Sequence, residues 1–310
     1  MLQNLFSTKK YRSLRTHSLD LGDFDTKIPV FDRKGAVSGP TIVITAGMDG
    51  DEYAGIEAAY ELIEEFEQKN FVGRIIIIPI VNTTGFEGEC SQCPLDGKYP
   101  KNIFPGSAKG SPSDRLVHWL HTNYVSKADV WLDMHSGAIT EGLKPFLWVF
   151  KTGDDALTNA IIKNNVAQTI VIEEASWSSM QRQIGKNGCA YICAESGSRG
   201  GRLAEDVKRH VDWAHSILEL AQVSNYTQEY ARMPAKIIKD ISFLIAPFDG
   251  IWRPKFSEDG EYIEGAVVGT VCAMDGSHPR ELRAGATGTG LWWKETMQMR
   301  EGDVLLAIGQ

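Results

Sequence analysis

The chain has 310 residues, enough for a large core, and this length is more typical of two domains than of one. Its 40 acidic and 32 basic residues give a formal net charge of −8. This charge argues against non-specific nucleic-acid binding, which needs a basic face. No apolar run approaches the roughly 20 residues that span a bilayer, and residues 1–15 lack the apolar stretch of a signal peptide. The five cysteines do not resemble a disulfide framework, so we expect a cytoplasmic protein.

The first third of the chain predicts two strands, a helix and a long loop. Residues 41–45 are a short apolar run of β-branched side chains, which is typical of a strand covered on both faces. Apolar residues recur at close to helical spacing between 53 and 69, and residues 74–81 form a second buried run. The Gly-, Pro- and Cys-rich segment 82–111 follows, and a loop of this length in a compact domain is usually functional or disordered.

The middle of the chain alternates between predicted helices and strands. A helix at about 113–124 leads to a strand at 129–134, and His135 lies just beyond that strand. Further strands are predicted at 146–150, 169–172 and 190–194, and further helices at about 155–166 and 203–220. This alternation predicts an α/β fold with a mixed, largely parallel sheet flanked by helices.

The sequence pattern changes near residue 233. Short β-type runs broken by glycines fill residues 235–310, and no helical period is present there. We therefore predict an α/β domain at 1–232 and a small β-barrel or sandwich domain at 233–310.

Several polar side chains are predicted at one edge of the sheet. Ligands of open parallel sheets bind beyond the carboxyl ends of the strands. Asp49 and Glu52 follow the first core strand, and His135 follows a later one. Two close carboxylates and one distant imidazole make a three-ligand site that leaves room for water, as in a catalytic metal site. Glu195, at the end of another strand, is a candidate general base, and Asp133 is placed to orient the imidazole of His135.

Each of these signals also has a structural interpretation. An acidic pair at a helix start is often a cap that favours the helix dipole. A single histidine after a strand is often structural. The residues alone leave both interpretations open.

Several motifs, in order along the chain, connect it to a known family. Gly47-Met-Asp-Gly-Asp-Glu52 resembles the Gly-x-His-Gly-x-Glu motif of the succinylglutamate desuccinylase/aspartoacylase family, within the zinc carboxypeptidase superfamily. Further similar segments are Asn82-Thr-Thr-Gly-Phe86, Pro94-Leu-Asp-Gly97, Phe104-Pro-Gly106, Ala128-Asp-Val-Trp-Leu-Asp-Met-His135, Glu195-Ser-Gly197, Ala246-Pro-Phe-Asp-Gly250 and Gly302-Asp-Val-Leu-Leu-Ala-Ile-Gly309. The resemblance covers nearly the whole chain and implies a zinc carboxypeptidase-like fold, in which domain 1–232 is a metallohydrolase-like catalytic domain. It also implies that Glu52 and His135 are metal ligands and that Glu195 activates water for amide or acyl hydrolysis.

The departures from the family pattern fall on functional positions. The first metal-binding histidine of the family is Asp49 here, and the family's Asn-Arg pair falls on Lys101–Asn102. The arginine expected shortly before Pro94 is absent, and Ser91 lies about there. Because the family arginines bind the carboxylate of the substrate, we expect a substrate that is less anionic than an N-acyl amino acid.

Four residues are candidates for substrate binding: Lys101, Asn102, Arg199 and Arg202. The two arginines follow Glu195 in the chain. Either of them is a candidate for the cation that contacts the substrate from the other side of the site.

The aspartate changes the expected metal chemistry. Two carboxylates and one imidazole around a divalent ion leave a net charge of about zero, so the ion is a poorer Lewis acid. Oxygen ligands also shift the preference from zinc towards harder ions. We expect Zn²⁺, with Mn²⁺, Fe²⁺ or Mg²⁺ as alternatives.

The sequence favours a metal-dependent deacylase or amidase that acts on a small N-acylated compound. The alternative is a non-hydrolytic relative that binds a ligand through an impaired metal site. A peptidase that trims carboxy-terminal residues is weakened by the missing arginines. A small molecule is the expected partner, without nucleic acid or membrane, and a homo-oligomer is possible.

Overall fold

The structure is a computed structural model. It describes residues 11–151, 156–174, 184, 188–223, 234–257 and 260–310. Within these ranges no helix is long and apolar enough to cross a membrane. The predicted boundary between residues 232 and 233 lies outside the described residues, so the division into domains 1–232 and 233–310 stays a prediction.

The elements are numbered in chain order. The strands are β1 (Leu14–Asp20), β2 (Asp25–Lys34), β3 (Val37–Ala46), β4 (Val72–Ile78), β5 (Val130–His135), β6 (Glu141–Leu143), β7 (Phe146–Lys151), β8 (Thr169–Glu174), β9 (Ala190–Glu195), β10 (Lys236–Ile238), β11 (Ile241–Ile245), β12 (Gly250–Pro254), β13 (Glu261–Tyr262), β14 (Val267–Cys272), β15 (Arg280–Arg283), β16 (Gly288–Lys294), β17 (Gln298–Met299) and β18 (Val304–Gly309). The helices are α1 (Tyr53–Phe66), α2 (Thr83–Glu87), α3 (Pro112–Asn123), α4 (Ala156–Lys163) and α5 (Ala204–Leu220), with short 3₁₀ helices at Pro100–Asn102 and Val125–Lys127.

A mixed, largely parallel sheet forms the centre of the molecule. Its strand order over the described residues is β1-β2-β4-β3-β5-β9-β7-β8-β10. The pairs β3/β4, β3/β5, β5/β9, β7/β8 and β8/β10 are parallel, whereas β1/β2, β2/β4 and β7/β9 are antiparallel. The predicted α/β fold with a mixed, largely parallel sheet is confirmed.

Helices α1, α4 and α5 pack on one face of the sheet. The apolar residues of α1 recur at helical spacing, so Ala58, Leu62 and Ile63 are buried against strand residues such as Ile44 and Leu132. Each fully buried aliphatic side chain of this kind contributes about 2 kcal/mol. This burial fixes the start of α1 beside the ends of β3 and β5.

Helix α3 packs on the opposite face. It begins with a capping box, in which Ser111 and Asp114 bond each other's backbone N–H groups, and Pro112 occupies the first turn. Leu116 and Leu120 then pack with Trp131 of β5. This packing covers the second face of the strands that carry the site.

From β11 onwards the C-terminal region consists of antiparallel sheets, as the sequence predicts, whereas β10 joins the edge of the central sheet. One sheet has the order β11-β18-β16-β13 with β6 on β16, and the other has the order β15-β14-β12-β17. Strand β6 comes from the middle of the chain, and Leu291 packs with Phe146 of β7. The C-terminal region is therefore packed directly against the central sheet.

The structure refines two predicted boundaries. The predicted loop 82–111 contains α2 and the 3₁₀ helix Pro100–Asn102. His135 is the last residue of β5 and does not lie beyond the strand. Its carbonyl accepts the N–H of Ser196, which extends the pairing with β9.

Candidate metal centre

Three neighbouring parallel strands bring their carboxyl ends to one edge of the sheet. β3 pairs with β5, and β5 pairs with β9. In this register His135 lies directly beside Glu195. The turn after Ala46 brings Asp49 and Glu52 to the same edge, where open parallel sheets bind ligands.

Two glycines shape the turn that carries these carboxylates. Gly47 has φ +61°, a conformation that other residues adopt only with strain. A Cβ at Gly50 would overlap the backbone of Gly85 and Phe86. The sequence Gly-Met-Asp-Gly therefore lets the turn fold closely against α2 and holds Asp49 beneath that helix.

Asp49, Glu52 and His135 form a buried cluster. One ligand atom from each residue lies within 4.8 Å of the others, a spacing that could hold a metal ion. His135 Nδ1 lies 2.9 Å from Glu52 Oε2 and 3.7 Å from Asp49 Oδ2. The three residues are only 1%, 4% and 3% exposed, respectively. The structure thus brings together the three residues predicted as ligands.

Glu52 occupies the N-cap position of α1 but does not cap the helix. Its side chain makes no capping hydrogen bond. Instead, Glu52 Oε2 accepts the N–H of Ser136 at 2.9 Å and contacts His135. The helix-cap interpretation of this acidic residue is therefore not supported.

Asp133 contacts the far side of the imidazole. Its Oδ2 lies 3.1 Å from His135 Nε2, and its Oδ1 accepts a 2.5 Å hydrogen bond from Thr45 Oγ1. Tyr191 Oη also donates to Asp133 Oδ2, at 3.3 Å. When His135 Nε2–H donates to Asp133, the lone pair of Nδ1 points towards the two ligand carboxylates.

The cluster contains a polar atom without a protein partner. Asp49 Oδ1 is buried and has no hydrogen-bond partner among the described residues. A carboxylate oxygen in this state is costly unless a cation or donor occupies the space in front of it. The donor set of two carboxylates and one imidazole is compatible with Zn²⁺ and with harder divalent ions. The residues present therefore fit a divalent cation.

The ionisation of the cluster reflects its burial. Burial and the neighbouring carboxylate of Asp49 raise the pKa of Glu52 well above its ordinary value. Burial lowers the pKa of His135, but the carboxylates of Asp133 and Glu52 outweigh it, and the pKa is raised well above its ordinary value. A cation beside these groups would favour the ionised carboxylates and the neutral imidazole.

Glu195 lies next to the cluster but is not one of its three ligands. Its Oε1 accepts a long contact of 3.6 Å from the thiol of Cys193. Burial raises the pKa of Glu195 to about 7, against the opposing effects of His135 and Lys101. A carboxyl group with this pKa exchanges protons readily near neutral pH, as a general base must.

Lys101 contacts the cluster from the long loop. Its Nζ forms an ion pair with Asp49 Oδ2 and lies 5.7 Å from the centre of the Tyr99 ring. Burial lowers the pKa of Lys101, but Asp49 and Glu52 raise it well above its ordinary value, so the ammonium stays charged. The predicted contact of Lys101 with substrate stays a prediction, whereas its contact with Asp49 was not anticipated.

The other predicted substrate residues lie on the surface. Asn102 is exposed at the end of the 3₁₀ helix. Arg199 forms a bidentate pair with Glu295 at 2.6 and 2.8 Å, and Arg202 lies 3.5 Å from Glu57. The two arginine side chains are 67% and 62% exposed, respectively. Their role in substrate binding stays a prediction.

Sequence reasoning missed a further buried carboxylate, Asp51. Its Oδ1 accepts a 2.7 Å hydrogen bond from Ser91, and its Oδ2 accepts the N–H of Ile139. Burial raises the pKa of Asp51. A serine bonded to this aspartate therefore lies where the family pattern has an arginine. The sequence signal that could have identified Asp51 is the presence of a further acidic side chain two residues after Asp49.

Comparison with known proteins assigns the chain to a family. A sequence model of the succinylglutamate desuccinylase/aspartoacylase catalytic domain matches residues 38–221, more than half of the chain. The chain belongs to this family. The match includes all three residues of the cluster and Glu195, and the resemblance inferred from the motifs is confirmed.

Similar proteins include deacylases and crystal structures of family members. An N-alpha-acetyl-L-2,4-diaminobutyric acid deacetylase from Halomonas elongata is 36% identical over 108 residues, but the match covers only 35% of this chain and 32% of that protein. A succinylglutamate desuccinylase/aspartoacylase from Rhodobacter sphaeroides superposes with a TM-score of 0.81 at 22% identity and covers 96% of this chain and 94% of that one. The product-bound ectoine utilization protein EutE (DoeB) from Ruegeria pomeroyi gives a TM-score of 0.80 at 22% identity, covering 96% and 93%. These two structures show that the fold extends over both regions of the chain.

Proposed function

We propose that this family member is a metal-dependent hydrolase that deacylates a small N-acylated compound. The buried cluster of Asp49, Glu52 and His135 is the observation that carries the proposal, together with the Asp49 oxygen that has no partner within the described ranges. Family membership supports hydrolysis of N-acyl groups in general. The name of the Halomonas relative supports an N-acetylated amino compound as the class to test first.

In this proposal Asp49, Glu52 and His135 hold the metal. His135 would use Nδ1, because Nε2 faces Asp133. The metal supplies Lewis-acid chemistry, polarising the acyl carbonyl and lowering the pKa of water. We propose Zn²⁺ as the ion, with Mn²⁺, Fe²⁺ or Mg²⁺ as alternatives because two of the three ligands are carboxylates.

Glu195 would act as the general base. It lies beside His135 on the next strand, and its raised pKa suits it to accept the proton of a water molecule that attacks the acyl carbon. Glu195 would then return the proton to the leaving nitrogen as the C–N bond breaks. The products are a carboxylate and an amine.

Negative charge on the carbonyl oxygen needs stabilisation during this attack. The ammonium of Lys101 is at the cluster and stays charged, so it is the nearest protein cation that the described structure offers. An ammonium has three N–H donors, and Asp49 accepts one of them. The remaining donors are available to the substrate.

A panel of N-acyl amino acids and N-acyl amines tests the proposal. Wild-type protein loaded separately with Zn²⁺, Mn²⁺, Fe²⁺ and Mg²⁺ should release amine from at least one compound, and Glu195→Gln should lower kcat by at least about a hundredfold. Absence of turnover with every ion, together with tight binding of an acylated ligand, would favour the non-hydrolytic alternative.

A further inference from the structure

The ion pair between Lys101 and Asp49 is an unusual feature for a metal cluster. Asp49 is only 1% exposed, and one of its oxygens accepts the ammonium of Lys101 while the other has no partner among the described residues. The oxygen that contacts Lys101 is Oδ2, which also lies 3.7 Å from His135 Nδ1. The ammonium of Lys101 is therefore at the side of Asp49 that faces the imidazole.

The ammonium is held in place by its own loop. Lys101 is the middle residue of the 3₁₀ helix Pro100–Asn102, whose first residue is buried and whose last N–H bonds the carbonyl of Tyr99. The ring of Tyr99 lies beneath the ammonium. The folded backbone of the loop therefore places Lys101 beside the cluster.

A second network ties the loop to helix α3. Asp96 accepts hydrogen bonds from Ser111 Oγ at 2.6 Å and from Ser113 N and Oγ at 2.9 and 2.7 Å. Lys98 Nζ bonds Asp114 at 2.9 Å. Because both flanks of the loop are anchored in this way, the ammonium of Lys101 keeps its position at the cluster.

The position of the Lys101 ammonium changes the net charge that a cation would meet at the cluster. When ionised, Asp49 and Glu52 present two negative charges, and His135 is a neutral ligand in its metal-holding form. The ammonium of Lys101 cancels one of these charges. A divalent cation would therefore meet a net charge of about −1 instead of −2, which weakens its attraction to the cluster.

We propose that Lys101 is a built-in countercharge that sets the affinity of the cluster for divalent cations, with Asp49 and Lys101 acting together as one neutral ligand. This inference rests on the proposed function, because it requires a cation at Asp49, Glu52 and His135. It assigns Lys101 a part in metal affinity that is separate from any contact with substrate.

Titration calorimetry of the full-length protein with Mn²⁺ and with Zn²⁺ tests the proposal. Lys101→Met removes the charge and should lower the Kd for both ions by at least about tenfold. Lys101→Arg keeps the charge and should stay close to wild type. Lys109→Met is the matched control, because it removes an exposed lysine of the same loop that is not part of the network of Asp96, Lys98 and Asp114. If Lys101→Met does not fold, Lys101→Gln provides a second neutral variant.

The outcomes separate the inference from the proposed function. Wild-type binding with an unchanged or weaker Kd in Lys101→Met would overturn the countercharge and leave the metal centre intact. Binding by Lys101→Met but not by wild type would support the countercharge and overturn the proposed metal-dependent function of the wild type. Binding by neither protein would overturn both the metal centre and the inference.

Discussion

Two groups of charged residues near the sheet edge differ in their burial and in their partners. Asp49, Glu52 and His135 are almost fully buried, and one carboxylate oxygen has no hydrogen-bond partner in the part of the chain that the structure describes. Arg199 and Arg202 are more than 60% exposed, and each lies against a glutamate. Burying an unsatisfied carboxylate is costly, whereas a solvated ion pair is nearly neutral in free energy. The buried group therefore needs a ligand to explain it, and the exposed group does not.

Removing one ligand from the buried group should have the largest effect. Glu52→Gln deletes a charged ligand and should lower kcat/KM by at least about a thousandfold, together with metal content. Steady-state kinetics on metal-loaded protein checks this. The matched variant is Glu61→Gln, on the exposed side of α1, which should stay within about twofold of wild type. Equal losses in both variants would show that the effect comes from the helix and not from the cluster.

Changing the general base should separate chemistry from metal binding. Glu195→Gln should lower kcat by about 10²- to 10⁴-fold while the metal content is retained. In the wild type, kcat/KM should rise with pH as Glu195 loses its proton, because a base acts only when deprotonated. The pKa of about 7 sets the upper limit of that midpoint, since a nearby divalent cation lowers it. If kcat/KM of Glu195→Gln falls at low pH in the same way as that of the wild type, the titrating group is not Glu195.

Removing the charged partner of the His135 imidazole should have an intermediate effect on metal affinity. Asp133→Asn removes the charge that holds His135 Nε2–H and should weaken metal affinity by about 10- to 100-fold. Asp129→Asn serves as the control, because Asp129 accepts the N–H of Thr41 at the opposite end of β5. Metal titration of both variants checks this prediction. A larger loss of affinity in Asp129→Asn would point to damage to the sheet.

Substitution of an exposed arginine should have the smallest effect. Arg199→Ala should lower the free energy of unfolding by no more than about 1 kcal/mol, because the pair with Glu295 is largely solvated. Chemical denaturation measures this cost. The same variant tests the sequence hypothesis for substrate binding. That hypothesis requires KM to rise selectively for carboxylate-bearing substrates, and an unchanged KM would count against it.

The sequence predicted most of the central sheet because its strands are continuous apolar runs. Residues 41–45 fall within β3, and the predicted strand 129–134 overlaps β5 (Val130–His135). The polar residues at the ends of these strands meet at one edge because parallel neighbours share a direction. Short strands such as β13 and β17, with two residues each, carry no periodic pattern, and distant partners define them.

Sequence patterns did not predict the contacts that the loops make. Lys101 meets Asp49 across 52 residues, and Arg199 meets Glu295 across 96. Such pairings depend on the path of the loop and on the packing of the C-terminal sheets. The motif resemblance located Lys101 near the site, but only the folded chain shows which group its ammonium contacts.

The metal content of protein purified without chelators tests the central claim most directly. The wild type should contain about one equivalent of a divalent transition metal per chain, and Asp49→Asn should contain far less. Asp51→Asn makes the same chemical change at the buried aspartate that bonds Ser91, so it should retain the metal. A metal-free wild type that takes up no divalent ion on titration, or full retention of metal in Asp49→Asn, would contradict the account.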